Sequence, residues 1–214
     1  MATPPLLPIT IQAVVMSVVS SLIAQLLAAY QNKTPLASAF DVEAIIKFVV
    51  FAFVMTPPNV LWQTFLESSL PGSRKAPASN DKSDKLPKES LNIKNTIAKT
   101  LLDQSLGSSV NTFLFCSFMA AWDVLVTQGQ FSATATAPAT AASLVGTAVV
   151  NRVRTDFVPF MKAGWRFWPW VSLGNFALVP DVATRNLVGG LAGIVWGVYV
   201  NLFAAGSPPA LKEE

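Results

Sequence analysis

Residues 6–30 read LLPITIQAVVMSVVSSLIAQLLAAY and contain no Lys, Arg, Asp or Glu. A run of this length exceeds the roughly 20 apolar residues that a helix needs to cross a bilayer. A cleaved signal peptide is the competing interpretation, but the run is longer than the roughly 7–15 residues of a signal core and no positive charge precedes it. The stretch therefore predicts a transmembrane helix.

The composition of the whole chain agrees with this prediction. Of its 214 residues, 52% are hydrophobic and only 13% are charged, whereas about 25% of the residues in a soluble domain are charged. The formal net charge of +3 is small, and no basic stripe is interleaved with aromatic residues, so nucleic-acid binding is not indicated. We predict an integral membrane protein whose main partner is the lipid bilayer.

Residue types that carry most enzyme chemistry are scarce in the sequence. The chain has no histidine, which removes Ser-His-Asp and Cys-His arrangements and the commonest zinc ligand. Cys116 is the only cysteine, so neither an intrachain disulfide nor a CxxC site can form. Its apolar neighbours favour a small buried filler over a reactive thiol. We expect no catalytic residue, metal or cofactor, and predict that the protein is not an enzyme.

Further apolar segments predict an all-α fold, an integral membrane bundle of four transmembrane helices that forms a single domain over residues 1–214. Pro57 and Pro58 interrupt the second segment and are expected to bend or break it. A polar stretch at residues 67–91 is expected to be a flexible loop. The predicted spans cover residues 6–30, 43–66, 93–127 and 183–205.

Two shorter helices are expected between the third and fourth spans. Residues 143–161 place valines on one side and charged residues on the other, which is typical of an interfacial amphipathic helix. Residues 165–179 are apolar but short for a full crossing, so we expect a membrane-embedded helix that ends at Pro180. The tryptophans of this region, with Lys162 and Arg166, fit the headgroup belt.

Polar residues inside the predicted spans are candidates for a pore lining or for buried polar contacts. On the first span they recur on one face of the helix, which is typical either of helix packing or of the wall of a water-filled lumen. Ionisable groups at membrane depth usually face a partner or water. We therefore expect Asp103 to contact Arg185, or failing that the Asn175 amide, with Lys99 nearer the headgroups. The candidates are Ser17, Ser21, Gln25, Asp103, Gln104, Asn111, Asn175 and Arg185.

The last span carries a series of glycines at four-residue steps. Such small-xxx-small patterns allow close approach of two helix backbones in a membrane. The predicted helix-packing residues are Gly189, Gly193 and Gly197.

Three stretches of the chain resemble one known family of eukaryotic organelle membranes. The close of the second span, the Leu101-Leu102-Asp103-Gln104 start of the third, and a C-terminal signature are similar to the Mpv-seventeen / twenty-two-kilodalton peroxisomal membrane protein family. The resemblance covers about Leu22 to Ala204. The residues that carry it, besides the start of the third span, are Pro57, Trp62, Pro71, Gly72, Trp168, Pro169, Asn175, Phe176, Pro180, Trp196 and Tyr199.

The sequence also departs from the family pattern. Ser20 and Ser21 stand where the family usually has Gly-Asp, and Ser172 replaces the usual glutamine. Val60 occupies a position often held by histidine, and Arg185 fits only after a one-residue insertion. These departures indicate a divergent branch, such as a fungal one, and weaken any carry-over of a pore-lining mechanism.

The resemblance implies a function that the residues alone do not. It implies a multi-pass protein of the peroxisomal membrane, or alternatively of the mitochondrial inner membrane. It also implies a channel-like pore for small solutes and metabolites, or a role in metabolite homeostasis. A non-conducting scaffold or sorting factor is the alternative. A secondary transporter is less favoured, because the chain shows no internal repeat. A homo-oligomer is one candidate assembly.

Overall fold

The structure is a computed structural model, and it describes residues 5–35, 40–74, 90–127, 138–179 and 182–204. Nearly all of these residues are helical, which confirms the prediction of an all-α membrane bundle. Two π-helical segments, Asp103–Gly107 and Asp123–Thr127, follow the third and fourth α-helices directly. The α-helices are α1 (Leu6–Asn32), α2 (Val42–Ser69), α3 (Ile93–Leu102), α4 (Ser108–Trp122), α5 (Pro138–Leu178) and α6 (Val182–Ala204).

Three helical stretches are long and apolar enough to cross a membrane, namely Leu6–Asn32, Val42–Ser69 and Ile93–Val126. The third joins α3 and α4 through the first π-helical segment, so its 34 residues extend over about 51 Å. In α6 the apolar part within the described residues is shorter, Leu187–Val200. A full crossing by residues 183–205 therefore stays a prediction, and residue 205 lies outside the described part.

The second span does not break at its prolines. Pro57 and Pro58 both lie inside the continuous helix α2. Proline already has a helical φ, and neighbouring groups in a membrane bundle can satisfy the carbonyls that lose their partners. The helix also extends to Ser69, so the expected start of a loop at residue 67 is wrong.

A short antiparallel pair of strands follows α2, where the sequence predicts a flexible loop. Strands β1 (Ser73–Arg74) and β2 (Ser90–Leu91) pair with Ser73 opposite Leu91. This pair is an exception to the otherwise helical fold. Residues 75–89 of the predicted loop lie outside the described part of the chain.

The start of α3 is fixed by a side-chain cap next to this strand pair. Asn92 Oδ1 accepts a hydrogen bond from Asn95 N, which satisfies one of the free N–H groups in the first turn. The Asn95 side chain in turn donates to Pro71 O at 2.9 Å, and Asn92 N donates to Gly72 O at 2.8 Å. The Pro71-Gly72 turn is therefore tied to the first turn of α3.

Helix α5 is one continuous helix of 41 residues, with Pro159 and Pro169 inside it. The prediction of an interfacial helix at 143–161 and a separate embedded helix at 165–179 is wrong in this respect. No strong helix stop separates the two segments, and α5 packs along α3 and α4. Such packing stabilises a helix more than local propensity does.

The chain divides into two compact units, where the sequence predicts a single domain. Unit 1 contains the described residues between Trp62 and Arg185, and unit 2 contains the described residues up to Leu61 and from Asn186 onward. Unit 1 includes the last turns of α2 and all of α3, α4 and α5. Unit 2 includes α1, most of α2 and most of α6.

Within unit 2, α6 lies close to α1 at two glycines. A Cβ atom on Gly197 would lie 2.9 Å from Ser20 Cβ, and one on Gly190 would collide with the Met16 side chain. A Cβ on Gly193 would meet nothing within 4 Å, so its predicted role in packing is wrong. The two close glycines are seven residues apart, about two helical turns, which keeps both on one face.

Candidate functional site

Three charged side chains from three helices form a buried ion triad in unit 1. Lys99 Nζ donates to Glu67 Oε2 at 2.6 Å, and Arg185 Nη1 donates to the same oxygen. The Lys99 side chain is 0% exposed, Glu67 is 9% exposed and Arg185 is 11% exposed. The ion triad (Glu67, Lys99 and Arg185) therefore joins the ends of α2 and α3 to the start of α6.

Main-chain groups and an aromatic ring surround the ion triad. Gly72 N donates to the second carboxylate oxygen of Glu67 at 2.9 Å, and Arg185 Nε donates to Val179 O at 2.6 Å. The Phe176 ring centroid lies 4.7 Å from Lys99 Nζ and 5.6 Å from Arg185 Cζ. These cation–π contacts compensate part of the cost of burying two cations beside one carboxylate.

Gly72 packs closely against Lys99. A Cβ atom at this position would lie 3.0 Å from Lys99 Nζ and 3.5 Å from Glu67 Oε1. The Pro71-Gly72 turn, which resembles a family motif, thus lets the main chain approach the carboxylate closely enough for Gly72 N to donate to it.

Asp103 is the centre of a second group of polar side chains, the aspartate cluster. Oδ1 of Asp103 accepts from Trp62 Nε1 at 3.1 Å and from Gln63 Nε2 at 2.8 Å. Oδ2 accepts from Gln104 Nε2 at 3.1 Å and from Ser172 Oγ at 2.9 Å. Four neutral donors therefore give both oxygens of this one carboxylate hydrogen bonds without a cation.

The expected contact of Asp103 with Arg185 or Asn175 is wrong. Arg185 pairs with Glu67 instead, and Asn175 Nδ2 donates to Arg185 O at 3.2 Å. Lys99 is fully buried and donates to Glu67, whereas the sequence places it toward the headgroups. The physical reason is that α2 extends to Ser69 and so places the Glu67 carboxylate next to both Lys99 and Arg185.

Close packing at Gly107 positions Trp62 beside Asp103. A Cβ atom on Gly107 would lie 2.7 Å from Trp62 Nε1 and 3.3 Å from Asp103 Oδ1. Gly107 ends the first π-helical segment, which begins at Asp103. The Gln104 carbonyl of the same segment accepts from Trp165 Nε1 at 2.9 Å. Single π-helical turns are frequent at functional sites because they redirect side chains.

Several buried polar atoms near these clusters have no hydrogen-bond partner among the residues that the structure describes. In unit 1 these are Thr96 Oγ1, Gln104 Oε1 and Asn175 Oδ1. Thr96 lies one turn before Lys99, Gln104 belongs to the aspartate cluster, and Asn175 is joined to Arg185. Buried polar atoms in native proteins normally have a partner, and an internal water is the usual one.

The remaining candidates lie apart from the two clusters. Ser21 is fully buried in unit 2 and its hydroxyl also has no partner within the described ranges. Gln25 exchanges two 2.9 Å hydrogen bonds with the main chain of Asp41. Ser17 is half-buried on α1, and Asn111 is exposed on α4. A pore wall shared by Ser17, Ser21 and Gln25 with the third span stays a prediction.

Sequence reasoning missed three residues of the site. Gln63 and Ser172 are neutral and gave no signal on their own, although Ser172 was identified where the family usually has glutamine. The sequence pattern places Glu67 in the polar loop at residues 67–91. It is the carboxylate that ends a long apolar stretch, and extending the predicted helix by a few residues would have included it in the second span, although its pairing with Lys99 depends on tertiary packing.

Residues 146–201 match the model of the Mpv17 / PMP22 family. The chain is 38% identical over 56 residues to PXMP2/4 family protein 3 of Dictyostelium discoideum, which covers 26% of this chain and 30% of that protein. It is 27% identical over 142 residues to Mpv17-like protein of Bos taurus, which covers 66% of this chain and 52% of that protein. The alignments thus span about half or less of these relatives. No solved structure matches the chain.

The matched segment contains most of the C-terminal signature. Trp168, Pro169, Asn175 and Phe176 lie in α5 near the two clusters, and the rings of Trp196 and Tyr199 stack on α6 with centroids 5.0 Å apart. Pro180 also falls in the segment but lies outside the described residues. Over residues 146–201, the chain is therefore similar to the Mpv17 / PMP22 family.

Proposed function

We propose that this protein lets small polar solutes cross an organelle membrane through a hydrated polar interior in unit 1. The observation that carries the proposal is the set of buried side-chain atoms without a hydrogen-bond partner among the described residues, Thr96 Oγ1, Gln104 Oε1 and Asn175 Oδ1. In a hydrocarbon environment each such atom costs free energy unless water reaches it. Their presence in a membrane bundle supports a wet interior.

The two polar clusters also support this proposal. The ion triad and the aspartate cluster place charged groups inside unit 1 of a chain whose long helices are strongly apolar. Ionisable residues at membrane depth commonly mark solute or ion pathways. The proposed role is non-catalytic and requires no cofactor.

We further propose the peroxisomal membrane as the location, with the mitochondrial inner membrane as the alternative. The support is the family, which includes peroxisomal and mitochondrial members. A fluorescent fusion of the full chain, imaged with markers of both organelles, separates the two locations. Exclusive overlap with a mitochondrial marker would contradict the peroxisomal proposal.

A non-conducting scaffold is the second candidate function. The Asp103 carboxylate accepts four hydrogen bonds from neighbouring groups. The Glu67 carboxylate accepts three. Clusters satisfied in this way can hold helices together without conducting anything.

Flux through reconstituted liposomes tests the proposal directly. The purified chain is reconstituted, and shrinkage and reswelling in glycerol or urea are followed by light scattering. We expect faster reswelling than in empty liposomes, and slower reswelling for Thr96→Val, which removes a buried unpaired hydroxyl. Thr100→Val is the matched control, because the Thr100 hydroxyl already donates to Thr96 O at 2.9 Å. Liposomes as tight as empty ones would exclude permeation and favour the scaffold.

A further inference from the structure

Three buried oxygen atoms of unit 1 have unused hydrogen-bonding capacity of one kind. Thr96 Oγ1, Gln104 Oε1 and Asn175 Oδ1 have no hydrogen-bond partner among the described residues. The two amide orientations are fixed by their nitrogens, because Gln104 Nε2 donates to an Asp103 carboxylate oxygen. Asn175 Nδ2 likewise donates to the Arg185 carbonyl oxygen, and a reversed amide would bring two acceptors together. The three unpaired atoms, named here the oxygen series, are therefore two pure acceptors and one hydroxyl.

The register between the third span and α5 places the oxygen series along one stretch of unit 1. Ser172 Oγ lies 2.9 Å from Asp103 Oδ2, and the Phe176 ring centroid lies 4.7 Å from Lys99 Nζ. Four residues forward on α5 thus correspond to four residues back on the third span. The two helical stretches are antiparallel here.

In this register the three oxygens lie about one helical turn apart. Asn175 precedes Phe176 in the chain, so it lies at about the level of Thr100. Thr100 is midway between Thr96 and Gln104. Because eight residues separate Thr96 from Gln104, the oxygen series extends over about 12 Å. A solute moving along this stretch would meet a new oxygen about every 6 Å.

The ionisable side chains of the two polar clusters have formal charges that cancel. The ion triad contains two cations, Lys99 and Arg185, and one carboxylate, Glu67. Asp103, four residues after Lys99, supplies the second carboxylate. A net charge in a low-dielectric interior would concentrate ions of the opposite sign. Because the charges cancel, neither anions nor cations are concentrated.

The two carboxylates are already occupied by hydrogen-bond donors. The Asp103 oxygens accept four hydrogen bonds, and the Glu67 oxygens accept three. A carboxylate offers about four lone-pair sites in all. A solute cation could therefore reach either group only by displacing protein donors.

The oxygen series is itself unfavourable for ions of both signs. Asn175 is bonded to Arg185, and Thr96 lies one turn before Lys99, so fixed cations stand beside two of the three oxygens. These cations repel a solute cation. The amide oxygens of Asn175 and Gln104 carry lone pairs only, so chloride or a carboxylate cannot hydrogen-bond to them.

We propose that the path in unit 1 selects uncharged solutes that carry hydroxyl or N–H donors, such as small polyols and small amides, over both anions and cations. This inference rests on the permeation proposed above and adds the class of solute. A donor of the solute would take the place of a water at each oxygen in turn. Such an exchange costs little when the hydrogen bond is reproduced and is unfavourable when it is not.

The first experiment compares small uncharged solutes with and without donors. The full chain is reconstituted in liposomes, and reswelling in glycerol, in urea and in trimethylamine N-oxide is followed by light scattering. Trimethylamine N-oxide is small, strongly polar and without net charge at neutral pH, but it carries no N–H or O–H donor. We expect glycerol and urea to cross. Trimethylamine N-oxide should cross at least about tenfold more slowly, the factor that one or two net hydrogen bonds give.

The second experiment measures ionic conductance of the same preparation in planar bilayers in KCl. The native protein should add no conductance to that of a protein-free bilayer. Asp103→Asn leaves one uncompensated positive charge in the two clusters and should create a conductance biased toward chloride. Lys99→Met leaves one uncompensated negative charge and should create a conductance biased toward potassium.

Arg154→Gln is the matched control for the charge variants. Arg154 is an exposed cation on α5 and belongs to neither cluster. Its removal changes the net charge of the chain by one unit and should create no conductance. Thermal unfolding in detergent verifies that each variant is folded, and the native measurements decide the inference where a variant does not fold.

The outcomes separate this inference from the proposed function. If glycerol crosses and the native protein also conducts potassium or chloride, the solute class is wrong and permeation stands. The same holds if trimethylamine N-oxide crosses as fast as glycerol, or if folded Asp103→Asn and Lys99→Met both conduct nothing. If neither glycerol nor urea crosses through the native protein, both the permeation proposal and this inference are wrong.

Discussion

Lys99 Nζ donates a 2.6 Å hydrogen bond to Glu67 Oε2, although the two residues are 32 positions apart in the chain and neither side chain is more than 9% exposed. Arg185 reaches the same carboxylate from a third helix. One glutamate thus compensates two buried cations, and the ends of α2, α3 and the start of α6 depend on it together.

Replacing Glu67 by Gln should destabilise the protein more than any other change in the ion triad. The substitution leaves Lys99 and Arg185 buried without a counter-charge, which typically costs about 3–5 kcal/mol. Lys99→Met should cost less, because Glu67 and Arg185 remain a neutral pair. The measurement is unfolding in mixed detergent micelles. Glu43→Gln in the first turn of the same helix is the control, with an expected change of less than about 1 kcal/mol.

A loss for Lys99→Met equal to or greater than that for Glu67→Gln would contradict the central role of Glu67. It would mean that the ammonium and its contact with the Phe176 ring, at 4.7 Å, stabilise the bundle more than the carboxylate does.

Asp103→Asn should lower the free energy of unfolding by about 1–3 kcal/mol, because an amide can accept only part of the hydrogen bonds that the carboxylate accepts. Asp123→Asn is a matched control at the start of the second π-helical segment. Asp123 has a side chain 36% exposed and lies 3.7 Å from Arg152, so solvent screens the pair and its loss should cost little. Equal effects of the two substitutions would contradict the cluster around Asp103.

Coupling measurements identify the partners of Asp103. A double-mutant cycle of Asp103→Asn with Ser172→Ala should show a coupling energy of about 0.5–3 kcal/mol, because the two side chains are hydrogen-bonded at 2.9 Å. Replacing Asp103 and Arg185 together by apolar residues should not restore stability, since they belong to separate clusters. Recovery in that double variant would support a direct pair and contradict the structure.

Gly107→Ala should destabilise unit 1 by about 1–3 kcal/mol, the usual cost of overpacking. The new methyl group would lie 2.7 Å from Trp62 Nε1, so the indole must move away from Asp103. Gly174→Ala is the control, because a Cβ there meets nothing within 4 Å. Since alanine is the better helix former, the control should be neutral or stabilising by up to about 1 kcal/mol. Thermal unfolding in detergent measures both.

Gly197→Ala should destabilise the packing of α6 on α1, whereas Gly193→Ala should not. A Cβ on Gly197 would lie 2.9 Å from Ser20 Cβ, and a Cβ on Gly193 meets no atom within 4 Å. We expect a loss of about 1–3 kcal/mol for the first variant and no loss for the second. If the two variants unfold at the same temperature, the close approach of these helices is wrong.

The sequence by itself determined the helical segments and the membrane class. Whether a stretch such as residues 6–30 can cross a bilayer depends on its own length and polarity, which are local properties. The start of α1 at Leu6 agrees with the sequence, whereas the helix ends at Asn32, two residues beyond the predicted end at residue 30. The motifs near Asp103 and Trp168 also indicated the resemblance to the Mpv17 / PMP22 family, whose model matches residues 146–201.

Only the tertiary structure decided which polar groups meet. Asp103 has the same sequence neighbours whether its partner is Arg185 or the four neutral donors that the structure gives it. The choice depends on how far α2 continues past Pro58 and on the single long helix α5, and both depend on packing between helices. The polar contacts join residues that are tens of positions apart in the chain. A sequence pattern, in contrast, predicts only local structure within a few helical turns, and packing between helices decides the rest.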